Sequence, residues 1–277
     1  MSGIKLVAVD LDDTLLDSRL TVSPRVKRAV EQATARGTAV VIATGRMFRA
    51  AVPYAVELGL KTPLITYQGA LVKEHHTGRE FFHRPVPLEL ARDVVRYLLP
   101  TGFHLQVYVN DTLCMAELTS DGERYARLSR VEPRVVGNLL AFLREPPTKV
   151  LMVAPEPEID RLLPELRARY GGALHIEKSK PYFLEFSHPE ATKGKALARV
   201  AQELGVARAA VMAIGDSYND LSMLEYAGVG VVVGNARPEI KACATYVTAT
   251  NDADGVALAI ERWVLGEEHA ELKEGRG

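Results

Sequence analysis

The chain has 277 residues, 47% hydrophobic and 25% charged, with a formal net charge of −1. This is ordinary globular composition with enough length for one large or two smaller domains, and it excludes a bulk electrostatic pull toward nucleic acid or an anionic membrane. Cys114 and Cys243 stand far apart without metal-ligand spacing, so no disulfide framework is expected and a reducing compartment fits.

Residues 5–16 read KLVAVDLDDTLL. The apolar run Leu6–Val9 reads as a short buried strand that delivers Asp10, Asp12 and Asp13, then Thr14. Alternation along a strand would turn Asp10 and Asp12 the same way, and adjacent carboxylates repel unless a cation or a proton sits between them. On its own the cluster fits a polar turn as well as a metal site. The chain enters this strand at once, which predicts no signal peptide, and no apolar run approaches the ~18 residues of a membrane span. A cytoplasmic protein is expected.

Ser23-Pro24 opens a helix whose apolar face is Val26, Ala29, Val30 and Ala33, with Gly37 as its stop. A second apolar run, Ala39–Ala43, ends in Thr44-Gly45-Arg46, and a helix follows over roughly 47–58. A third strand ends near Thr66. Strand, helix, strand, helix, strand implies parallel pairing with helices on the faces.

From about residue 80 the texture changes. A helix ended by Pro100 precedes a hairpin in HLQVYVNDTLCMAEL, with Asn110-Asp111 as a turn that lacks the favoured glycine. A polar helix (121–129), a strand in TKVLMVAP and a helix in EIDRLLPELRARYGG follow, and then two strands joined by a turn at Lys178–Pro181. Hairpins mixed with helices predict an α+β insert at 83–188. Parallel texture returns with TKGKALARVAQELGV as helix, AAVMAIGDSYND as strand running into Gly215-Asp216, and then LSMLEYAG, GVGVVVGNA, PEIKACA, YVTAT and DGVALAIERWV. The charged tail EEHAELKEGRG is expected to fray.

Three polar clusters each follow an apolar strand directly: Asp10–Thr14, Thr44–Arg46 and Gly215–Ser217. In an open parallel sheet, ligands bind beyond the carboxyl ends of the strands. Asp10, Asp12 and Asp216 offer the hard oxygen ligands Mg²⁺ prefers, while Thr44, the backbone around Gly45 and Lys193 offer donors to an anion. Acids alone repel phosphate, so a bridging metal completes a phosphoryl-transfer site. Singly, each motif has an ordinary reading. Thr44-Gly45-Arg46 fits a loop, Lys193-Gly194 a helix entry, and Asp216 and Asp220 fit acids favoured at a helix N-terminus. Arg46 fits a substrate contact or a salt bridge. His75, His76, His83 and His104 share no ligand spacing, and Tyr182 and Phe183 read as core of the insert.

DLDDT, ATGR, TKG and GDSYND, in this order, resemble the four motifs of the haloacid dehalogenase (HAD) superfamily. The insert between the second and third motifs resembles the type IIB cap of Cof-type phosphatases, and Gly234–Ala236 is similar to a further segment of that group. The resemblance implies an α/β fold: a Rossmann-like three-layer parallel-sheet core from 1–82 and 189–277, with the α+β cap 83–188 as a mobile lid. It implies Asp10 as the nucleophile that forms an aspartyl-phosphate, and Asp12 as general acid/base with its backbone carbonyl on Mg²⁺. Thr44, Gly45, Lys193 and Asn219 fall at phosphate-binding positions, Asp216 at a metal ligand beside Asp10 and Asp12, and Asp220 at a supporting one. Two positions depart from the commonest pattern: Asp13 stands where many relatives have Gly, and Gln68 where Asn is frequent. The implied activity is Mg²⁺-dependent hydrolysis of a small phosphomonoester such as a sugar phosphate, nucleotide or cofactor phosphate. The alternatives are a phosphomutase or a dedicated sugar-pathway phosphatase of the same superfamily and, in another class, a non-catalytic phosphate-binding module. The expected partner is a small phosphorylated metabolite, without nucleic acid or membrane, for a monomer or homodimer.

Overall fold

The structure is a computed structural model and describes residues 3–267. The tail expected to fray lies, from residue 268 on, outside the described residues. The chain divides into two compact units. One holds the residues up to Ala43, Tyr54–Thr62 and the chain from Leu197 on; the other holds Thr44–Pro53 and Pro63–Ala196.

The first unit is built on a five-stranded sheet in the spatial order Tyr246–Val247, Val229–Val232, Val211–Gly215, Leu6–Val9, Ala39–Ile42, with every neighbouring pair parallel. Leu6–Val9 is buried at all four residues, so both faces of the sheet are covered, as a continuous apolar strand requires. Ser23 caps the helix Pro24–Ala35 by accepting from the Val26 amide at 3.1 Å. Its buried face is the expected Val26, Ala29, Val30 and Ala33, and it packs on the helix Gly255–Ile260. From Leu6–Val9 the chain steps to Ala39–Ile42 on one side and later returns to Val211–Gly215 on the other. The strand order therefore reverses between Leu6–Val9 and Val211–Gly215, the switch point at which parallel sheets open a crevice.

The second unit is α+β. Its larger sheet runs His175–Lys180, Phe183–Ser187, Lys149–Val153, His104–Val109, Thr112–Met115, Arg134–Val135, antiparallel except for the last pair. One face, with Val107, Val150, Met152, Leu184 and Phe186, shares an apolar cluster with residues of the helices Leu88–Leu98 and Glu156–Tyr170. The other face, with Tyr108, Leu113, Met115 and Leu151, clusters with Met47, Ala50, Tyr67 and Tyr125. The expected hairpin is present, and both turn residues, Asn110 and Asp111, have positive φ (49° and 53°), which a two-residue type I′ turn demands.

Two expectations are corrected. Leu64–Thr66 does not join the parallel sheet but pairs antiparallel with Leu71–Lys73, which pairs with Glu80–His83. The reason follows Thr66 directly: Tyr67, Gln68 and Gly69 all take positive φ (52°, 59° and 102°) and reverse the chain onto itself. The later turn also moves. Lys178 and Lys180 belong to the strand His175–Lys180, whose register is irregular there, and the reversal lies at Pro181-Tyr182.

Candidate active site

In the first unit the register sets Val9 opposite Ile214, so the next residues on the two strands, Asp10 and Gly215 with Asp216, emerge together at the switch point. The Asp10 amide continues the pairing by donating to the Ile214 carbonyl at 2.9 Å. Asp10, Asp216 and Asp220 each bring a carboxylate oxygen within 4.8 Å of the others. Asp10 is 5% exposed and Asp220 fully buried. Asp220 organises the loop: its Oδ2 accepts from the amides of Asp216 and Ser217, both at 3.0 Å. A side chain at 215 would meet the Asp220 carboxyl carbon at 2.5 Å, so only glycine lets that carboxylate fold back under the strand end. Asp216 Oδ1 accepts from the Thr14 hydroxyl at 2.9 Å, which fixes one oxygen and turns the carboxylate. Asn219 lies in the short 3₁₀ turn Tyr218–Asp220, half-buried.

Strand pairing ends with the Asp10 amide, so alternation does not govern Asp12. Residues Leu11–Leu15 wind into a wide turn closed by the Leu15 amide on the Asp10 carbonyl (3.2 Å) and the Leu16 amide on the Leu11 carbonyl (2.9 Å). The Asp12 carboxylate is not one of the three clustered groups. Asp13 sits at φ +61°, a left-handed position that Asp tolerates better than most residues with a Cβ and that glycine takes without strain.

The second unit places Thr44, Gly45 and Arg46 in a loop tied down through its carbonyls. Thr44 O accepts from the Gln68 amide (3.1 Å), Gly45 O from Lys149 Nζ (3.1 Å) and Arg46 O from the Tyr67 amide (2.9 Å). The Arg46 amide donates to Thr44 Oγ1 at 3.1 Å. A Cβ on Gly45 would lie 2.5 Å from Gln68 Nε2, so the Gln68 side chain covers this glycine. Gln68, the other departure from the common motif, is also at positive φ, where Asn is the better-tolerated residue. Lys193 opens the helix Lys193–Glu203 and is 1% exposed, a burial that an ammonium tolerates only among anionic or polar groups.

The family model for haloacid dehalogenase-like hydrolases matches residues 7–260. The chain belongs to this family. It is a HAD-type phosphatase of the Cof branch. It is 33% identical over 264 residues to a 5-amino-6-(5-phospho-D-ribitylamino)uracil phosphatase of Bacillus subtilis, covering 95% of this chain and 96% of that one. It is 31% identical over 267 residues to a pyridoxal phosphate phosphatase of Escherichia coli, covering 92% and 97%. Among solved structures it resembles a haloacid dehalogenase-like hydrolase of Bacteroides thetaiotaomicron with TM-score 0.87, 30% identity and coverage of 94% and 99%. It also shares the fold of a HAD subclass IIB sugar phosphatase at TM-score 0.83, 23% identity and coverage of 94% and 98%.

The donor set of this HAD phosphatase suits a hard divalent cation, since three carboxylates converge at the end of a buried sheet and would repel one another without one. Several residues that shape the motifs have no motif of their own. Asn235 Nδ2 donates to the Asp13 carbonyl at 2.8 Å and its Oδ1 accepts from the Asn251 amide at 3.0 Å, so it anchors the wide turn. Asp111 accepts from the amides of Phe48 (3.0 Å) and Arg49 (2.9 Å) and from the Tyr67 hydroxyl (2.7 Å). Lys149 and Glu185 form a buried pair at 3.0 Å. Opposite charges inside two otherwise apolar strands, TKVLMV and YFLEFS, were the signal for that pair.

Proposed function

We propose that this protein hydrolyses small phosphomonoesters in the cytoplasm with Mg²⁺, by way of an aspartyl-phosphate on Asp10. The observation that carries the reading is the grouping of Asp10, Asp216 and Asp220, the first and last of them buried, at the sheet's switch point. A carboxylate oxygen of Asp10 attacks phosphorus while the bond to the leaving oxygen breaks, and Asp12 gives that oxygen its proton. Asp12 then takes a proton from water. The resulting hydroxide attacks the phosphorus of the aspartyl-phosphate, releasing inorganic phosphate and restoring Asp10. Thr44, Gly45, Lys193 and Asn219 hold the phosphoryl oxygens, and Arg46 contacts the substrate. Mg²⁺, held by Asp10, Asp216 and the Asp12 carbonyl with Asp220 in support, would neutralise charge on the phosphoryl group.

The insert 83–188 serves as the cap that excludes water from the first step and selects the alcohol. Cofactor and polyol phosphates are the first esters to test, a choice supported by relatives named for a ribitylaminouracil phosphate and for pyridoxal phosphate. The test is phosphate release from a panel of these esters and sugar phosphates with Mg²⁺, repeated with a chelator. Chelator-sensitive release from at least one ester is the expected result. Hydrolysis indifferent to chelation would contradict the metal role, and an isomerised ester without free phosphate would mark a mutase.

A further inference from the structure

We propose that Lys149 and Glu185 are positioning residues for Thr44: the buried pair fixes the Gly45 peptide so that the Thr44 hydroxyl presents its proton to a phosphoryl oxygen. The inference rests on the reading of Thr44 as a phosphate contact.

Lys149 and Glu185 stand on neighbouring antiparallel strands. Glu185 pairs with Leu151, two residues beyond Lys149, so the two charges share a face as a diagonal pair. Lys149 is 1% exposed and Glu185 6%. The ammonium is held on several sides. It donates to Glu185 Oε2 at 3.0 Å and to Gly45 O at 3.1 Å, and the rings of Tyr108 and Tyr67 lie 5.0 and 5.9 Å away. The other oxygen of Glu185 accepts from the Ser179 hydroxyl at 2.7 Å, so the carboxylate is itself fixed. Burial works against the Lys149 charge, but Glu185 with Tyr125 and Glu177 together outweigh it and hold the ammonium above its ordinary range.

A buried ion pair adds little net stability over apolar residues of the same volume. What this pair adds is a direction. In a trans peptide the carbonyl and the following N–H point opposite ways. With Gly45 O drawn to Lys149, the Arg46 N–H is turned to Thr44 Oγ1. An oxygen that accepts this N–H directs its own hydrogen elsewhere, as a donor. The flanking carbonyls of Thr44 and Arg46 are held by the main-chain amides of Gln68 and Tyr67, so the side chain of Lys149 pins the middle one of three. Glycine at 45 has the widest backbone freedom in the loop, which makes it the peptide most in need of an external hold.

The test is a thermodynamic cycle on the full-length enzyme, with inorganic phosphate as the probe. The proteins are wild type, Thr44→Ala, the paired Lys149→Met/Glu185→Leu variant and the combination. Removing both charges together avoids a stranded buried ion. Thr44→Ala should weaken phosphate inhibition about tenfold, ~1.4 kcal/mol, and raise KM alongside. The paired variant should do much the same, and the combination should add less than about twofold, because both act through one hydroxyl. Multiplying effects, or a folded paired variant with wild-type phosphate inhibition, would overturn the positioning role. Phosphate inhibition unchanged in Thr44→Ala would instead remove Thr44 from the phosphate site, and this proposal with it. Should the paired variant not fold, the milder Glu185→Gln decides by the same measurement. Failure of both to fold would mark the pair as purely structural and overturn the proposal.

Discussion

Asp13 and Asp17 flank the exit of the first motif and act through the backbone. Asp13 lies in the left-handed region, so Asp13→Gly relieves strain while adding freedom to the unfolded chain. Stability by urea denaturation should change by less than about 1 kcal/mol. With no catalytic role assigned to its side chain, kcat/KM for the best panel ester should stay within about threefold of wild type, less than the loss of one hydrogen bond in the transition state. Asp17 is buried and accepts from the amides of Arg19 and Thr21, from the Thr21 hydroxyl and from the Arg19 guanidinium. Burial pushes its carboxyl up, but these bonds outweigh it and hold the pKa at about 2, below the ordinary 3.8. A depressed folded value means stability that is present above pH 3.8 and lost as pH falls toward 2. Wild-type stability should therefore fall more steeply than that of Asp17→Asn across this window. Parallel acid-denaturation curves would contradict it.

At the scale of elements, the Asn110-Asp111 turn shows why a favoured residue is absent. Glycine would suit the φ of 53° at position 111, yet only a carboxylate there can accept from the first amides of the helix Phe48–Glu57 and from Tyr67. Asp111→Gly should lower stability by about 1–3 kcal/mol despite the better turn, from lost capping and charged hydrogen bonds. A more stable variant in urea denaturation would contradict that account. The same contrast explains what was legible beforehand. Strands and helices with clear periodicity, such as Leu6–Val9 and Pro24–Ala35, could be read because each is set by its own residues. Asp10, Thr44, Lys193 and Asp216 stood out because each follows or opens such an element. The pairing of Leu64–Thr66 could not be read, since three buried residues carry no direction and three successive positive φ angles left no mark in Tyr-Gln-Gly. The holds exerted by Lys149 and Asn235 depend on partners 104 and 222 residues away in sequence, beyond any local pattern.

Across the whole molecule, the family match from residue 7 to 260 embraces both units. Both cysteines are free, Cys114 buried and Cys243 exposed, and among the described residues no helix is long and apolar enough to cross a membrane. A cation held by the acid group at the switch point would link folding to metal. A cation that binds the native chain alone stabilises it by mass action, about 2.7 kcal/mol at a hundredfold excess over Kd. Mg²⁺ should then raise the Tm of the wild type by roughly 5 °C, and that of Asp216→Ala by far less. An equal rise in both would place the cation elsewhere.

The proposed role of Asp10 as nucleophile is tested most directly by the rate of phosphate release by Asp10→Asn on the best ester of the panel. The amide is nearly isosteric with the carboxylate, so the variant should fold with the wild-type circular dichroism spectrum while turnover falls roughly 10⁴-fold or more. A folded Asp10→Asn protein that releases phosphate at the wild-type rate would contradict the account.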